Sequence, residues 1–317
     1  MSRPDIVPFS DEHLDGAAAL LAERHRRHRT AEPLLSARFE DPAETRVEVE
    51  AAWRKDGATG AAGFRGGELV GYLLGAPGDD SVWGANVWVE VAGHAVQEAE
   101  DVRDLYAAVA EGWLDAGRNR HYAVVPAADP ELLDAWYRLC FGQQHAYGIR
   151  EVPPEPWPEG VRRAELGDVE AMVELGPLLS RHQLLAPVFS GRPPQDADEL
   201  GAEIAEDIEN DAIGNLVAER DGRIVGDFEV VPVELSSMHG GLAGPDQASM
   251  LGFAVTSPDV RGSGAGVALT QATFAWSHQA GYRTIVTDWR VTNLLSSRFW
   301  PARGFRTSFL RLYRSIP

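Results

Sequence analysis

Residues 250–266 read MLGFAVTSPDVRGSGAG. The first seven of these residues are apolar and partly β-branched, which predicts a β-strand. Beyond the glycines, apolar residues recur with helical spacing at Ala265, Leu269, Ala272 and Trp276. A glycine-rich loop therefore joins a strand to the N-terminus of a helix. Glycine lets a ligand approach the backbone closely, and the free amides of a first helical turn attract anions, so this segment predicts a phosphate site.

The spacing of the glycines excludes two common phosphate loops. A dinucleotide fingerprint would need glycine at position 267, which is valine, and a P-loop would need a lysine that this segment lacks. The remaining pattern is R-x-x-G-x-G, formed by Arg261, Gly264 and Gly266 after a strand and Pro258. This pattern resembles the loop that binds the pyrophosphate of acyl-CoA in the GNAT acetyltransferase superfamily.

A second motif begins 27 residues beyond the loop. Residues 293–300 read NLLSSRFW, and Gly304 and Phe305 follow. This segment resembles the GNAT signature N-x-x-A-x-x-L-Y-x-x-x-G-F, and the two motifs have the order and separation found in that family. The resemblance covers 250–305 and implies an acyltransferase that takes its acyl group from acetyl-CoA.

The resemblance also implies which residues hold the cofactor. It assigns the pyrophosphate to the loop, through Arg261, Gly262, Ser263, Gly264, Ala265 and Gly266. It assigns the pantetheine arm and the acetyl carbonyl to main-chain groups of the strand, at Ala254, Val255 and Thr256. One N–H of this strand would stabilise an oxyanion during transfer. The implied cofactor site is completed by Asn293 on the opposite wall, Ser296 and Trp300.

The chain departs from the family at Trp300, which stands where a tyrosine usually protonates the departing thiolate. An indole N–H donates a hydrogen bond but is not an acid at physiological pH. General acid help is typically worth about 10²- to 10⁴-fold, whereas a thiol of pKa about 8.5 is already a tolerable leaving group. We therefore expect activity to survive, with Tyr282, Tyr313, Ser296 or water as the proton donor.

Three positions are candidates for the general base. Asp288 shares a predicted strand face with Val286 and Arg290 and is the first choice. Glu229, together with Asp227, lies on the predicted exposed face of a second strand. His239 is a further proton acceptor, although a loop histidine is commonly exposed to solvent.

An internal repeat predicts two copies of one fold. Residues 6–14 and 67–71 match 161–169 and 222–226 at an offset of 155 residues. Further along, 89–97 and 129–141 match 253–261 and 293–305 at an offset of 164. The difference of nine residues indicates an insertion within 236–247 of the second copy.

The repeat sets the predicted fold class and domain bounds. Each copy alternates strands and helices, which predicts an α/β (α+β) fold with a mixed, largely antiparallel sheet flanked by helices. The predicted domains are 1–150 and 161–317, joined by a proline-rich linker at 151–160. The two copies would form a pseudo-dimer within one chain, which is compatible with a monomer.

The first copy lacks the cofactor loop. Gln97 stands at the position of Arg261, while Glu100 and Val102 replace the two glycines. Carboxylates at a helix start repel a pyrophosphate, so we expect no CoA in this copy. It would either bury apolar surface as a partner domain or shape the acceptor pocket of the second copy.

Composition excludes several classes of protein. The net charge is −19, from 29 basic and 48 acidic residues, which disfavours nucleic acid as a partner and favours a cationic substrate. The single cysteine, Cys140, cannot form a thiolate zinc site, and no metal is expected. No secretory signal or membrane-length apolar segment is evident, which predicts a cytoplasmic protein without membrane contact.

Two functions from different classes remain open. The first is an acetyl-CoA-dependent N-acetyltransferase that acts on a primary amine of a small molecule. The second is an acyl-CoA-binding sensor or interaction module without turnover, which the tryptophan at position 300 favours. The sequence leaves open the acceptor and the length of the acyl chain.

Overall fold

The computed structural model describes residues 2–190, 193–236 and 238–317, and the chain forms two compact units. The first unit comprises Met1–Tyr147, Gly241–Ala243 and Thr307–Pro317. The second comprises Gly148–Gly240 and Gly244–Arg306. These bounds differ from the predicted domains in two places. Residues 307–317 belong to the first unit, and the proline-rich segment 151–160 belongs to the second.

The first unit contains a four-stranded antiparallel sheet and a second run of strands. Its helices are α1 (Leu14–Ala31), α2 (Pro42–Trp53), α3 (Asp80–Trp83), α4 (Asp101–Asp115) and α5 (Pro130–Tyr137). Its strands are β1 (Asp5–Pro8), β2 (Thr59–Arg65), β3 (Glu68–Gly75), β4 (Asn86–Val89), β5 (His94–Val96), β6 (Arg120–Pro126) and β7 (Gly142–Glu151), whose last four residues lie in the second unit. The four-stranded sheet has the order β1-β2-β3-β5.

The last strand of the chain completes the first unit. Strand β13 (Arg306–Ser315) pairs antiparallel with β6, with Phe309 opposite Pro126 and Ser315 opposite Arg120. Strand β4 pairs with β6 in parallel on the other side. This pairing explains why residues 307–317 belong to the first unit although they follow the second copy in sequence.

The second unit is built on a sheet of the order β12-β11-β10-β9-β8. Its strands are β8 (Val161–Arg163), β9 (Gly214–Arg220), β10 (Arg223–Pro232), β11 (Ala248–Thr256) and β12 (Thr284–Arg290). Its helices are α6 (Val169–Leu175), α7 (Pro177–Leu184), α8 (Ala197–Glu209), α9 (Ala265–Gln279) and α10 (Ser296–Phe299). Only the β11–β12 pair is parallel among the described pairs of this sheet. The predicted fold class, a mixed α/β fold with largely antiparallel sheets, is confirmed.

Both faces of the second sheet are covered. Helix α9 packs on the face that carries Gly226 and Phe228, where a Cβ on Gly226 would lie 2.8 Å from Leu269. Helix α6 packs against β10 and against α8. The sequence predicts an exposed face at Asp227, but this prediction is wrong, because Asp227 is only 4% exposed. Alternation along one strand cannot reveal a helix that packs on its polar face.

None of the helices in the described ranges combines the length and the apolar character that a membrane crossing requires.

Candidate functional site

The central strands of the second unit separate at the predicted cofactor segment. In the described residues, β11 and β12 pair only between Ala248–Met250 and Thr284–Val286. Just beyond the last pair, Thr287 Oγ1 donates a hydrogen bond of 3.0 Å to the carbonyl oxygen of Leu251. Residues 254–256 therefore lie on a part of β11 that has no ladder to β12, and their main-chain groups on that side are available to a ligand.

A β-bulge lies immediately before this unpaired segment. Glu229 pairs with Phe253 and Val230 pairs with Leu251, so Gly252 is an extra residue on β11. A Cβ placed on Gly252 would lie 3.2 Å from Oε1 of Glu229. The carboxylate of Glu229 therefore lies over the bulge, next to the main-chain groups that the sequence assigns to the thioester.

Two carboxyl groups on β10 have strongly raised pKa values. Burial raises the pKa of Glu229 to about 7, with additional contributions from Asp207 and Glu203 on α8. Burial raises the pKa of Asp227 to about 7 as well, with a contribution from Glu229. Among the described residues, Oδ1 of Asp227 has no hydrogen-bond partner. Each group can hold or release a proton near neutral pH, as a general base must.

The acidic helix α8 adds negative charge to the same region. Burial, Glu203 and Glu206 raise the pKa of Asp207. The carboxylates of α8 approach Glu229 closely enough to raise its pKa in turn. This part of the unit is therefore a region of negative potential that favours a cationic ligand.

Asp288, the first choice for the base, lies on the same sheet face as Glu229. Val286 pairs with Met250, which pairs with Val231. Paired side chains point to one face, and every second residue along a strand returns to that face. Asp288 lies two residues beyond Val286, and Glu229 lies two residues before Val231. Both carboxylates therefore face the same side, on opposite sides of the gap between β11 and β12.

His239 is buried beside Asp288. Its Nε2 lies 3.9 Å from Oδ1 of Asp288, and the side chain is 1% exposed. The expectation that this loop histidine is exposed is wrong, because its side chain is buried.

The glycine loop has the local geometry that phosphate binding needs. A short 3-10 turn at Pro258–Val260 leads to Gly262 and Gly264, whose φ angles are 78° and 94°. Helix α9 begins at Ala265, and its first backbone bond runs from the amide of Ala268 to the carbonyl of Gly264. The amides of residues 265–267 precede that bond and point out of the helix. A Cβ on either loop glycine would meet nothing within 4 Å, so the loop has room for a ligand.

Basic and polar groups surround this loop. Arg220 Nη2 donates a hydrogen bond of 3.3 Å to the carbonyl of Ser263, and Arg261 is exposed. Arg223 lowers the pKa of Asp259, after the larger effect of the Ser257 hydroxyl. Within the described ranges, the buried hydroxyl of Ser263 has no hydrogen-bond partner. An orphaned hydroxyl, free amides and arginines together fit a pyrophosphate.

Asn293 is held by its own helix and by a residue that the sequence analysis missed. Its Oδ1 accepts hydrogen bonds from the amides of Leu295 at 3.0 Å and Ser296 at 3.4 Å, which caps the N-terminus of α10. Nε2 of His182 lies 3.2 Å from the same oxygen. A single histidine in a helix carries no signal in the sequence, so only the fold identifies His182.

The positions considered for the cofactor wall and the proton donor are distributed over the two units. Trp300 is 6% exposed, and its ring centroid lies 6.1 Å from Phe228 and 5.7 Å from Phe305, so it is part of an aromatic core. Tyr282 stacks on Trp276, and burial raises its pKa. Other polar positions are Ser296, whose buried hydroxyl has no partner among the described residues, and Tyr313, which belongs to the first unit.

Among the described residues, no cluster of three or more histidine, cysteine or acidic side chains is arranged to hold a metal ion.

Comparisons with known proteins agree with this geometry. The sequence profile of the acetyltransferase (GNAT) family matches residues 179–305, whereas no curated protein matches the chain. A GCN5-related N-acetyltransferase from Sphaerobacter thermophilus has a similar fold, with a TM-score of 0.60, 14% identity and coverage of 99% of this chain and 97% of that one. A tandem GNAT protein from the clavulanic acid biosynthesis pathway has a TM-score of 0.52, 15% identity and coverage of 99% and 98%. Residues 179–305 therefore match the GNAT acetyltransferase family, and the fold of the chain is similar to that of GNAT proteins.

Proposed function

We propose that the second unit transfers an acetyl group from acetyl-CoA to a primary amine of a small cationic molecule, by direct attack within a ternary complex. The observation that carries the proposal is the position of Glu229, whose carboxylate lies over the bulge of β11 beside the unpaired segment 254–256. The match of residues 179–305 to the acetyltransferase (GNAT) family supports acyl transfer in general. The choice of acetyl group and acceptor rests on the residues below.

Acetyl-CoA supplies an activated thioester, and the chain supplies its binding groups. The amides of residues 265–267 and the hydroxyl of Ser263 would hold the pyrophosphate, with Arg261 at the edge of the loop. The main chain of 254–256 would orient the pantetheine arm and the carbonyl. An amide of this segment would stabilise the negative charge that develops on the carbonyl oxygen. Asn293, through its cap on α10, positions the opposite wall.

Proton transfer is the role of the buried carboxylates. An alkylammonium must lose a proton before its nitrogen can attack. Glu229, with a pKa of about 7, accepts this proton near neutral pH. The nitrogen then bonds to the carbonyl carbon and the carbon–sulfur bond breaks. The second proton that the nitrogen loses passes to the departing thiolate, directly or through water, Ser296 or Tyr282, so that an amide and free CoA thiol result. Asp227 and Asp288, on the same face as Glu229, are the alternative acceptors.

The negative charge beside the site favours a cationic acceptor. Glu203 and Asp207 on α8 lie close enough to Glu229 to raise its pKa, and a positive ligand would relieve this repulsion. An acceptor with a second ammonium group would gain from these carboxylates while its first amine reacts.

Release of free thiol from acetyl-CoA, measured across a panel of amines, tests the proposal. We expect turnover with diamines above that with uncharged amines, and Glu229→Gln should lower kcat/KM by about 10²- to 10⁴-fold. The wild-type kcat/KM should rise with pH through about 7, and the variant should lose this dependence. Glu234→Gln, at an exposed position after β10, is the matched control. Full activity of Glu229→Gln, together with loss of activity in Asp288→Asn, would show that Asp288 and not Glu229 is the general base.

One observation favours a second candidate, an acyl-CoA sensor without turnover. Trp300 replaces the family's tyrosine and packs in an aromatic core. A sensor would bind acetyl-CoA and release no thiol with any amine, so the same panel separates the two functions.

A further inference from the structure

The first unit contains a cavity of about 370 Å³. It lies between α1, the end of β5, the segment after β6 and the start of α5. Its size falls within the range of small-molecule sites. The polar groups that line it are Arg24, Arg27, His28, Gln97, Asp129 and Glu131.

Arg24 brings a buried positive charge to this cavity. The side chain is 3% exposed, and its guanidinium donates hydrogen bonds to two neutral main-chain carbonyls, those of His94 and, at 2.7 Å, Val91. Its Nε has no partner, and no carboxylate in the described part of the chain forms an ion pair with it. Burial lowers the pKa of Arg24 to about 10, which still leaves it charged at neutral pH. The charge of Asp129 opposes this lowering of the pKa without forming an ion pair. A buried guanidinium that is hydrogen-bonded only to neutral carbonyls is costly, so a bound anion would stabilise this arrangement.

Two further residues of α1 extend this wall. His28, one helical turn beyond Arg24, is buried, and its Nε2 has no hydrogen-bond partner among the described residues. Burial and the charge of Arg24 lower the pKa of His28 to about 3, so its ring is neutral. Arg27 is exposed and contributes a second positive charge. Helix α1 therefore presents two positive charges, Arg24 and Arg27, and the neutral ring of His28 to an anionic group in the cavity.

The segment after β6 and the start of α5 contribute two acidic residues to the same cavity, Asp129 and Glu131. Asp129 uses Oδ1 to accept a hydrogen bond of 3.0 Å from the amide of Leu132, which caps α5, and Glu131 is exposed beside it. Glu98 follows Gln97 on the neighbouring loop and is also exposed. These acids oppose a polyanion such as a pyrophosphate, but they would attract an ammonium group.

We propose that this cavity binds a small zwitterion, a free α-amino acid, whose carboxylate pairs with Arg24 and Arg27. Its ammonium group pairs with Asp129 and Glu131. The cavity carries positive charge on α1 and negative charge at Asp129 and Glu131, and a zwitterion neutralises both, whereas the phosphates of CoA would leave the acids uncompensated. This site is independent of the proposed transferase site in the second unit.

Thermal denaturation of the full chain with each of the twenty free L-amino acids at millimolar concentration tests the proposal, followed by calorimetry on the best one. At least one amino acid should raise the Tm and titrate with one site per chain. Its carboxamide and its deaminated analogue should each bind at least about tenfold more weakly, because each loses one charge-assisted pairing. If no amino acid raises the Tm, or if both analogues bind as tightly, the proposal is wrong.

Variants locate the site. Ala128→Trp places a large ring at an exposed lining position, and Arg27→Ala removes an exposed charge, so neither threatens the core. Each should raise the Kd of the amino acid by about tenfold or more, as should Asp129→Asn, which keeps an oxygen for the cap of α5. Gly264→Glu in the second unit is the matched control and should leave this Kd unchanged. Unchanged binding in Ala128→Trp would show that the amino acid binds elsewhere.

Discussion

The two copies of the repeat differ in the residues that precede the equivalent helices, α4 and α9. In the first unit, α4 follows Glu100, whose carboxylate pairs with Arg103 at 2.6 Å and Arg138 at 2.7 Å. Asp101, in the first turn of α4, is buried and pairs with Arg65 at 2.6 Å. In the second unit, α9 follows Gly264, and no protein atom lies within 4 Å of the position of its missing side chain.

This difference teaches how one fold gains or loses an anion site. The first copy places carboxylates at the positive end of the helix and balances them with its own arginines. The second copy leaves its amides open and keeps arginines nearby. The backbone differs as well, since Glu100 has φ −63° and ψ −29° whereas Gly264 has φ 94° and ψ −7°. The residue at this position therefore sets both the charge and the local path of the chain at the helix start.

The largest expected effect comes from giving the second loop the charge of the first. Gly264→Glu should weaken acetyl-CoA binding by at least about a hundredfold, because the carboxylate repels the pyrophosphate. Gly264 has a φ of 94°, so a side chain there also adds about 1 to 2 kcal/mol of strain. Gly264→Asn is the matched control, because asparagine tolerates this conformation without charge, and it should retain binding. Calorimetry should give one acetyl-CoA site per wild-type chain, and a stoichiometry of two would contradict the comparison.

A smaller effect concerns the buried carboxyl of Asp227. Its native pKa of about 7 exceeds the ordinary 3.8, so the native state binds more protons than the unfolded chain between these values. The free energy of unfolding therefore falls as pH rises through this range, by at most about 4 kcal/mol. Asp227→Asn should be more stable than wild type at about pH 8 and close to it near pH 4. Equal differences in Tm at both pH values would show that Asp227 does not ionise in this way.

The smallest effect concerns a feature that both copies share. Asp129 caps α5 and Asn293 caps α10, at equivalent positions of the repeat. Replacement of either residue by alanine should lower the free energy of unfolding by about 1 kcal/mol, measured with denaturant. Only Asn293→Ala should also weaken acetyl-CoA binding. Asp129→Asn and Asn293→Asp keep the capping oxygen and serve as controls, and a loss of stability in these variants would indicate that the caps are not responsible.

The sequence predicted features that depend on neighbouring residues. The strand, the glycine loop and the helix of 250–279 form as expected, because apolar spacing and glycine act locally. Asp221 and Gly222, which join β9 to β10, are also residue types that favour a tight turn, and both have positive φ angles. The sequence analysis also named Glu229 as a candidate base, but it did not predict the burial that raises the pKa of this residue.

Features that depend on distant segments were not predictable. Asp227 is buried on β10, against which α6 packs, and His239 is buried beside Asp288, which lies 49 residues further along the chain. The contact between His182 and Asn293 joins residues 111 positions apart, and neither periodicity nor a motif indicates it. The repeat predicted two domains, but it could not reveal that the last strand lies in the first unit.

The position of β13 imposes an order on biosynthesis. Residues 307–317 supply a strand to the first unit, beside β6, and they emerge from the ribosome after the whole second copy. During synthesis, the first unit therefore lacks the strand that pairs with one edge of β6 until the second copy has been made. A gene fragment that stops at the proline-rich segment would encode a first unit without β13, and one edge of β6 would stay unpaired.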